Sequence, residues 1–436
     1  MKQITIPLLS LALLAPLTGC GHTAKLPLAA GIGATPQLPA PTMSVIPTVK
    51  VAEASGWPAG TKPVAAEGLK VNAFATGLDH PRWLLTLPNG DILVAETAAP
   101  PQSKRYKDKS LKGIFMRMFM KKAGSIVPSA DRITLLRDSD RDGVAEVRKA
   151  YISGLPSPFG MALVGSTLYV AGADALVSFP YAPEANAITV APQMITRLPA
   201  GRNHHWTKSL SAGPSGFLYV GVGSNSNIAE HGMDEEVGRA AIWEIDPRSG
   251  SHRLFATGLR NPVGLAFRPA SNELFAVVNE RDELGSDLVP DYLTRVRDGA
   301  FYGWPWSYYG QHIDTRVEPS RPDMVARAVR PDYALGSHVA PLGLAFAEGA
   351  QLGPQFANGA FVGEHGSWNR RPFSGYKVVF IPFDGGRPHG EPIDVLTGFL
   401  DGDRARGRPV GVQVAADGSL LVADDVGNTV WRVSVR

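Results

Sequence analysis

The chain has almost no cysteine: Cys20 is the single one among 436 residues. An internal disulfide is therefore excluded, and the fold must rest on a hydrophobic core, which a chain of this length can bury. An excess of one charge is also missing. Lysine and arginine total 43 against 40 for aspartate and glutamate, a formal net charge of +3. Nothing in that balance suggests nucleic acid as a partner, which usually needs a basic face. The apolar run near the start, Ile4 to Leu17, is broken by Pro7 and Pro16 and is too short to span a bilayer. Glycine and proline, by contrast, are plentiful, at 47 and 36 residues. They suit many short strands joined by turns.

Lys2 followed by the run Ile4 to Leu17 has the form of an export signal. Leu17-Thr18-Gly19-Cys20 at its end resembles a bacterial lipobox. That resemblance implies removal of residues 1–19 and a lipid on the Cys20 sulfur. The other reading is a plain secretory signal with an incidental cysteine. The expectation is a lipid-anchored protein of a bacterial envelope, facing the periplasm, on the outer membrane in preference to the inner. Residues 20–68 are rich in Ala, Pro, Gly and Thr, from Pro27 to Pro63, and show no helix or strand period. They are expected to form a disordered, extended tether.

From residue 69 to 436 one phrase recurs: an apolar alternating run, a turn of small residues, and a second apolar strand. The first copy runs from Pro81 to Val94, with Asn89-Gly90 as its hairpin signal. Further copies begin near Gly160, Leu210, Val263, Leu342 and Val410. Spaced strand pairs without an intervening helical pattern predict an all-β, six-bladed β-propeller. One insertion stands apart. Between Lys104 and Lys122, basic residues surround Ile114, Phe115, Met116, Met118, Phe119 and Met120. Such a segment can lie on an anionic membrane surface or pack as a surface helix on the ring.

Polar clusters flank the predicted strands, where the loops of a propeller converge on its axis. Gly201 to Leu210 carries His204 and His205, and an imidazole suits general-base work near neutrality. The same pair also suits metal ligation or a place on the surface. Arg260-Asn261 precedes Pro262, and a guanidinium fork suits carboxylates and quinone oxygens or can brace a corner. Asn279 to Asp287 is acidic enough to offer oxygens to calcium. Glu364 to Arg370 is dense in polar donors around Trp368. Separately, Asp138, Asp140, Asp142 and Glu146 have the alternate acids of a calcium loop, with Gly143 between. Lys149 stands where an EF-hand needs a bidentate Glu. The stretch is read as a structural calcium loop or as an Asp-rich turn.

In this order along one chain, the clusters resemble those of the PQQ-dependent sugar dehydrogenases, in particular the sorbosone dehydrogenase-like branch. That branch is related to soluble glucose dehydrogenases and fungal pyranose dehydrogenases. The motifs that carry the resemblance are the His205 segment, Arg260-Asn261-Pro262, Asn279-Glu280-Arg281-Asp282, Tyr302-Gly303-Trp304-Pro305 and His365 to Arg370. It implies a pyrroloquinoline quinone (PQQ) lying over the axial opening. His205 matches the catalytic base, and Arg260 with Asn261 the pair that holds the quinone oxygens. Arg408 matches an arginine that contacts a PQQ carboxylate, and His338 another cofactor-side position. A calcium ion is implied on backbone carbonyls of Arg281, Asp282 and Glu283. Ser224 stands where the glucose enzymes have an acid that orients the base, and Val263 replaces a glutamine. Their cofactor lysine has no counterpart, which makes His365 or Arg370 its expected substitute.

The resemblance implies oxidation of an aldose, sorbosone-like sugar or polyol by hydride transfer, with a quinone or cytochrome as electron acceptor. Two other classes fit the same layout. One is a calcium-dependent propeller lactonase or other hydrolase, and the other a non-catalytic propeller that binds carbohydrate or protein.

Overall fold

In the computed structural model, residues 22–42, 48–103, 105–106 and 110–436 are described. The expected signal and Cys20 lie outside them. The protein is mostly β and propeller-like. The apolar alternation of the repeats becomes six antiparallel sheets of four or more strands, accompanied by two smaller ones. Their first strands are Pro81–Thr86, Gly160–Val164, Lys208–Ala212, Pro262–Arg268, Pro341–Phe346 and Pro409–Val414. Each first strand packs on the first strand of the next sheet, and Pro409–Val414 packs on Pro81–Thr86, which closes the circle. The last sheet is completed from the other end of the repeats: Leu69–Thr76 pairs with Thr429–Val435. Burial of apolar faces between neighbours drives the closure. Each pair of neighbouring sheets shares a hydrophobic cluster, as where Leu176 meets Leu210 and where Val94 meets Leu421.

A Pro-x-Gly phrase opens four first strands: Pro158-Phe159-Gly160, Pro262-Val263-Gly264, Pro341-Leu342-Gly343 and Pro409-Val410-Gly411. Its glycine lies where neighbouring backbones nearly touch. A Cβ on Gly264 would stand 2.8 Å from the Leu344 Cβ, and one on Gly411 2.8 Å from the Arg82 carbonyl. The middle residues Phe159, Val263, Leu342 and Val410 join Trp83 in one buried cluster. Side chains from five sheets can meet only on the axis, so this cluster is an apolar floor across the bore.

Residues 22–42 and 48–68 correct the expectation of a disordered tether. Ile32–Gly33 pairs with Ala334 and Leu335, Glu53–Ala54 with Arg404 and Ala405, and Val64–Ala65 with Leu396 and Thr397. The prolines leave short stretches between them with free N–H groups. Those stretches satisfy strand edges that would otherwise be unpaired.

Gly343→Ala tests the close approach, because its Cβ would strike the Val410 carbonyl. Thermal or urea unfolding should show a loss of about 1–3 kcal/mol. Unchanged stability would mean that the two strands are not in contact.

Candidate active site

The antiparallel registers bring the start of each first strand beside the end of the second. Lys208 lies opposite Val222, Pro262 opposite Val278, Pro341 opposite Glu364 and Pro409 opposite Asp424. Residues just before the first strands and just after the second strands therefore gather at one end of the ring. His205, Arg260, Asn261, His338 and Arg408 arrive by the first route. Asp282, Glu283, His365 and Arg370 arrive by the second.

His205 Nδ1 lies 2.8 Å from the Ser224 carbonyl oxygen and 3.1 Å from Ser224 Oγ. A carbonyl only accepts, so Nδ1 carries the proton and Nε2 keeps its lone pair. Burial, then neighbouring His204 and Arg260, hold the His205 pKa well below its ordinary value. The orienting role expected of an acid thus falls to a backbone carbonyl. The loop that carries it is tied by Glu236, which accepts from the Asn225 N–H at 2.7 Å and from the Ser226 hydroxyl. Gly223 leaves the space in which His205 and Asn261 approach each other.

Arg260 is buried and heavily engaged. It donates to the Asn227 carbonyl (3.3 Å) and side chain (3.1 Å), the Glu280 carbonyl (2.6 Å) and the Asp282 carboxylate (2.9 Å). Asp282 also accepts from Asn369 at 2.6 Å and stands 3.7 Å from His338. Behind this pair, burial pushes the Glu280 carboxyl up to about 7 and the Asp291 carboxyl up to about 8. Both acids thus keep their protons far more readily than ordinary carboxyls, although Asp291 accepts the backbone N–H groups of Glu280 and Ala340.

A second hub is Asp425. It pairs with Arg82 at 2.5 Å and His365 at 2.9 Å, with His80 at 3.6 Å. Burial opposes its charge, but His365, His80 and Arg82 together hold the carboxylate well below the usual range. Burial depresses His365 to about 4. Arg408 lies over the Tyr376 ring, 4.8 Å from its centroid. Its Nε and Nη2 are buried without a hydrogen bond, as are Arg370 Nε, Asn261 Oδ1 and Asn369 Oδ1.

The expected calcium ligands among the backbone carbonyls need correction. The Asp282 carbonyl accepts from Arg281 (3.0 Å from Nε) and from Asn227 (3.3 Å), and the Glu283 carbonyl accepts from Arg316 at 3.2 Å. Arg281 itself is buried in an ion pair with Asp314. Guanidinium groups already engage two of the three carbonyls that a cation would need, those of Asp282 and Glu283, so the ligand set as expected is not free for calcium. The Asp138, Asp140, Asp142 and Glu146 group, by contrast, brings one carboxylate oxygen from each residue to within 4.8 Å of the others. It links the third and fourth strands of its sheet, at the end of the ring away from His205.

Arg82, Asp425 and Asn227 complete the network from outside the sequence clusters, and Asn369 from within the Glu364 to Arg370 run. Arg82 was visible as a charged residue directly after Pro81, but it read as part of the strand.

Comparison with known proteins bears on the family and the fold. A family model described as TrAA12-like matches residues 128–291 and 313–436. The chain belongs to the TrAA12-like family. A protein of undefined function from Borreliella burgdorferi is 33% identical over 219 residues, covering 50% of this chain and 56% of its own. A pyrroloquinoline quinone-dependent pyranose dehydrogenase from Coprinopsis cinerea is 26% identical over 333 residues, covering 62% of this chain and 44% of its own. The chain thus spans about half the length of these curated relatives. The holo PQQ domain of the Coprinopsis cinerea pyranose dehydrogenase superposes with a TM-score of 0.67 at 22% identity, covering 87% of this chain and 98% of that domain. That likeness shows the fold. The resemblance to PQQ-dependent sugar dehydrogenases read from the sequence is borne out.

Asp425→Asn tests the second hub. It leaves Arg82 buried without its partner, which should cost about 3–5 kcal/mol in urea unfolding. A loss no larger than that of a surface pair would show that Asp425 does not hold the site together.

Proposed function

We propose that this chain is a PQQ-dependent oxidoreductase on a six-bladed propeller, oxidising an aldose, sorbosone-like sugar or polyol. The observation that carries the reading is the state of His205. Its Nδ1–H is committed to the Ser224 carbonyl, so Nε2 is a neutral base, at the same end of the ring as the unbonded buried Nε and Nη2 of Arg408 and Nε of Arg370. The Coprinopsis cinerea relative, named as PQQ-dependent, supports the choice of cofactor.

The unpaired groups suit such a ligand. The buried N–H groups of Arg408 and Arg370 are donors for the carboxylates of a flat quinone. The aromatic and aliphatic floor beneath excludes water from one face. When bound, PQQ supplies a two-electron acceptor that takes hydride from the substrate carbon. The chain's own residues do the rest. His205 Nε2 receives the proton of the substrate hydroxyl as the carbon–oxygen double bond forms. Arg260, fixed by Asp282 and Asn227, would hold the quinone oxygens and present a positive charge to them. Asn369 holds Asp282 from the other side.

Further parts of the reading concern the surroundings. We propose a lipid on Cys20, a place in a bacterial envelope facing the periplasm, and a quinone or cytochrome as acceptor of the electrons. Calcium is assigned to Asp138, Asp140, Asp142 and Glu146 as a structural ion, where the gathered carboxylate oxygens and the buried, unbonded Asp138 Oδ1 support it. No catalytic step is assigned to calcium.

The test is dye reduction by the purified full chain across a set of aldoses, with and without PQQ. Dye reduction that depends on PQQ supports the reading. Acid released from a lactone without dye reduction would identify a hydrolase, and neither activity a binding protein. His205→Ala should lower turnover by about 100- to 10,000-fold while PQQ binding, followed by absorbance, persists. Because the His205 pKa is lowered, its neutral form persists in acid. The acid limb of kcat/KM should therefore lie below about pH 6.5, the ordinary histidine value. A limb at or above that value contradicts His205 as the base. For the ion, Asp140→Asn with Asp142→Asn should abolish calcium binding in isothermal titration and remove any rise in melting temperature with calcium. Unchanged calcium binding would exclude this loop.

A further inference from the structure

We propose that the end of the ring carrying the candidate active site docks on an anionic lipid surface through the helix Leu111–Lys122. Three observations converge on it.

The first is position. The helix lies in the connection between Ile92–Glu96 and Arg132–Arg137, the second and third strands of their sheet. Connections of that kind emerge at the end of the ring where His205 and Arg260 lie. The segment reaches across that end. Tyr106 stacks under the Arg202 guanidinium, 5.1 Å from it, close to the His204–His205 loop. At the far side, Gly124 packs against Ala54 and Val426, next to Asp425.

The second is chemistry. Ile114, Phe115 and Met118 are 50%, 56% and 56% exposed, and Ile126, just beyond the helix, is 53% exposed. Residues 114, 115 and 118 fall on one helix face, and Lys121 and Lys122 continue the same stripe one turn on. Between residues 104 and 122 eight residues are basic and only Asp108 is acidic. Large apolar side chains held outward within a basic field match an interfacial helix, with the apolar groups among acyl chains and the lysines among anionic headgroups. A polar protein partner would satisfy the charges but leave the apolar stripe wet.

The third is the course of the N-terminal segment. Ser286 donates its backbone N–H to His22 Nδ1 at 3.0 Å, Lys25 N–H donates to Asp287 at 2.7 Å, and Ala24 N–H donates to the Arg371 carbonyl at 2.7 Å. These partners belong to the loops at the same end. Cys20 is two residues before His22, and two residues reach at most about 7 Å. An anchor at Cys20 would therefore tether the ring by this end. This third observation rests on the lipid-anchor reading; the other two stand without it.

The experiment uses the full chain, with a fluorophore on Phe115→Cys or, at the opposite end of the ring, on exposed Ser215→Cys. Vesicles carry brominated acyl chains and are made of phosphatidylcholine alone or with phosphatidylglycerol. Mass spectrometry of the same preparation reports whether Cys20 carries lipid. The expected result is quenching at position 115 in phosphatidylglycerol vesicles, reversed by high salt, and none at position 215. Lys121→Gln and Lys122→Gln should each lower the ratio of docked to undocked label about fivefold, as one surface lysine contributes on the order of 1 kcal/mol. Absent quenching at 115 on a chain that is lipidated and vesicle-bound overturns the inference and leaves the anchor reading intact. Quenching at 115 on a Cys20→Ser chain, in which position 115 carries the sole label, supports the inference without any anchor. Equal quenching at both positions, or self-association at the helix without lipid, also overturns it.

Discussion

The closeness of the first strands is the constraint on which the rest of the molecule depends. At Gly160, Gly264, Gly343 and Gly411 a neighbouring sheet leaves room for a hydrogen and no more. That closeness draws the residue before each glycine onto the axis, where Phe159, Val263, Leu342 and Val410 form an apolar floor with Trp83. It also fixes what stands above the floor. Residues preceding the strands are delivered to one small area, and residues leaving the second strands meet them there. The polar site is thus a consequence of packing, since its side chains come from loops whose ends are pinned.

Within that area, charge is handled in two ways. Most of it is paired. Asp282 holds Arg260, and Asp425 holds Arg82 and His365, in surroundings where a lone charge would be costly. A smaller part is left unpaired, chiefly the Nε and Nη2 of Arg408. Paired groups give the site its shape, and unpaired buried donors give it an appetite for an anionic, oxygen-rich ligand. His205 stands between the two regimes, neutral through burial and oriented by a carbonyl in place of an acid.

Much of this was legible in the sequence. Alternating apolar runs with Gly-containing turns announced sheets, and the clusters around His205, Arg260, His365 and Arg408 are brought to one end. Partners were harder to read, because pairing depends on distances across sheets. Asp425 lies 343 residues from Arg82, and no local pattern joins them. Backbone roles were invisible for the same reason: Ser224 looked like a lost acid, although its carbonyl does the orienting. The carbonyls of Asp282 and Glu283 looked free for calcium until Arg281 and Arg316 were seen to cap them. The stretch from residue 22 to 68 misled by composition, since prolines spaced along a segment do not prevent the residues between them from completing strand edges.

The central claim is that the packed ring holds unpaired guanidinium donors ready for a carboxylate-bearing quinone. Equilibrium titration of the full chain with PQQ, followed by difference absorption and repeated for Arg408→Ala, tests it most directly. The account predicts saturable binding of one PQQ per chain, weakened at least about tenfold by the substitution, as expected for the loss of a charge-assisted hydrogen bond. No saturable binding, or equal affinity in the two chains, would contradict it.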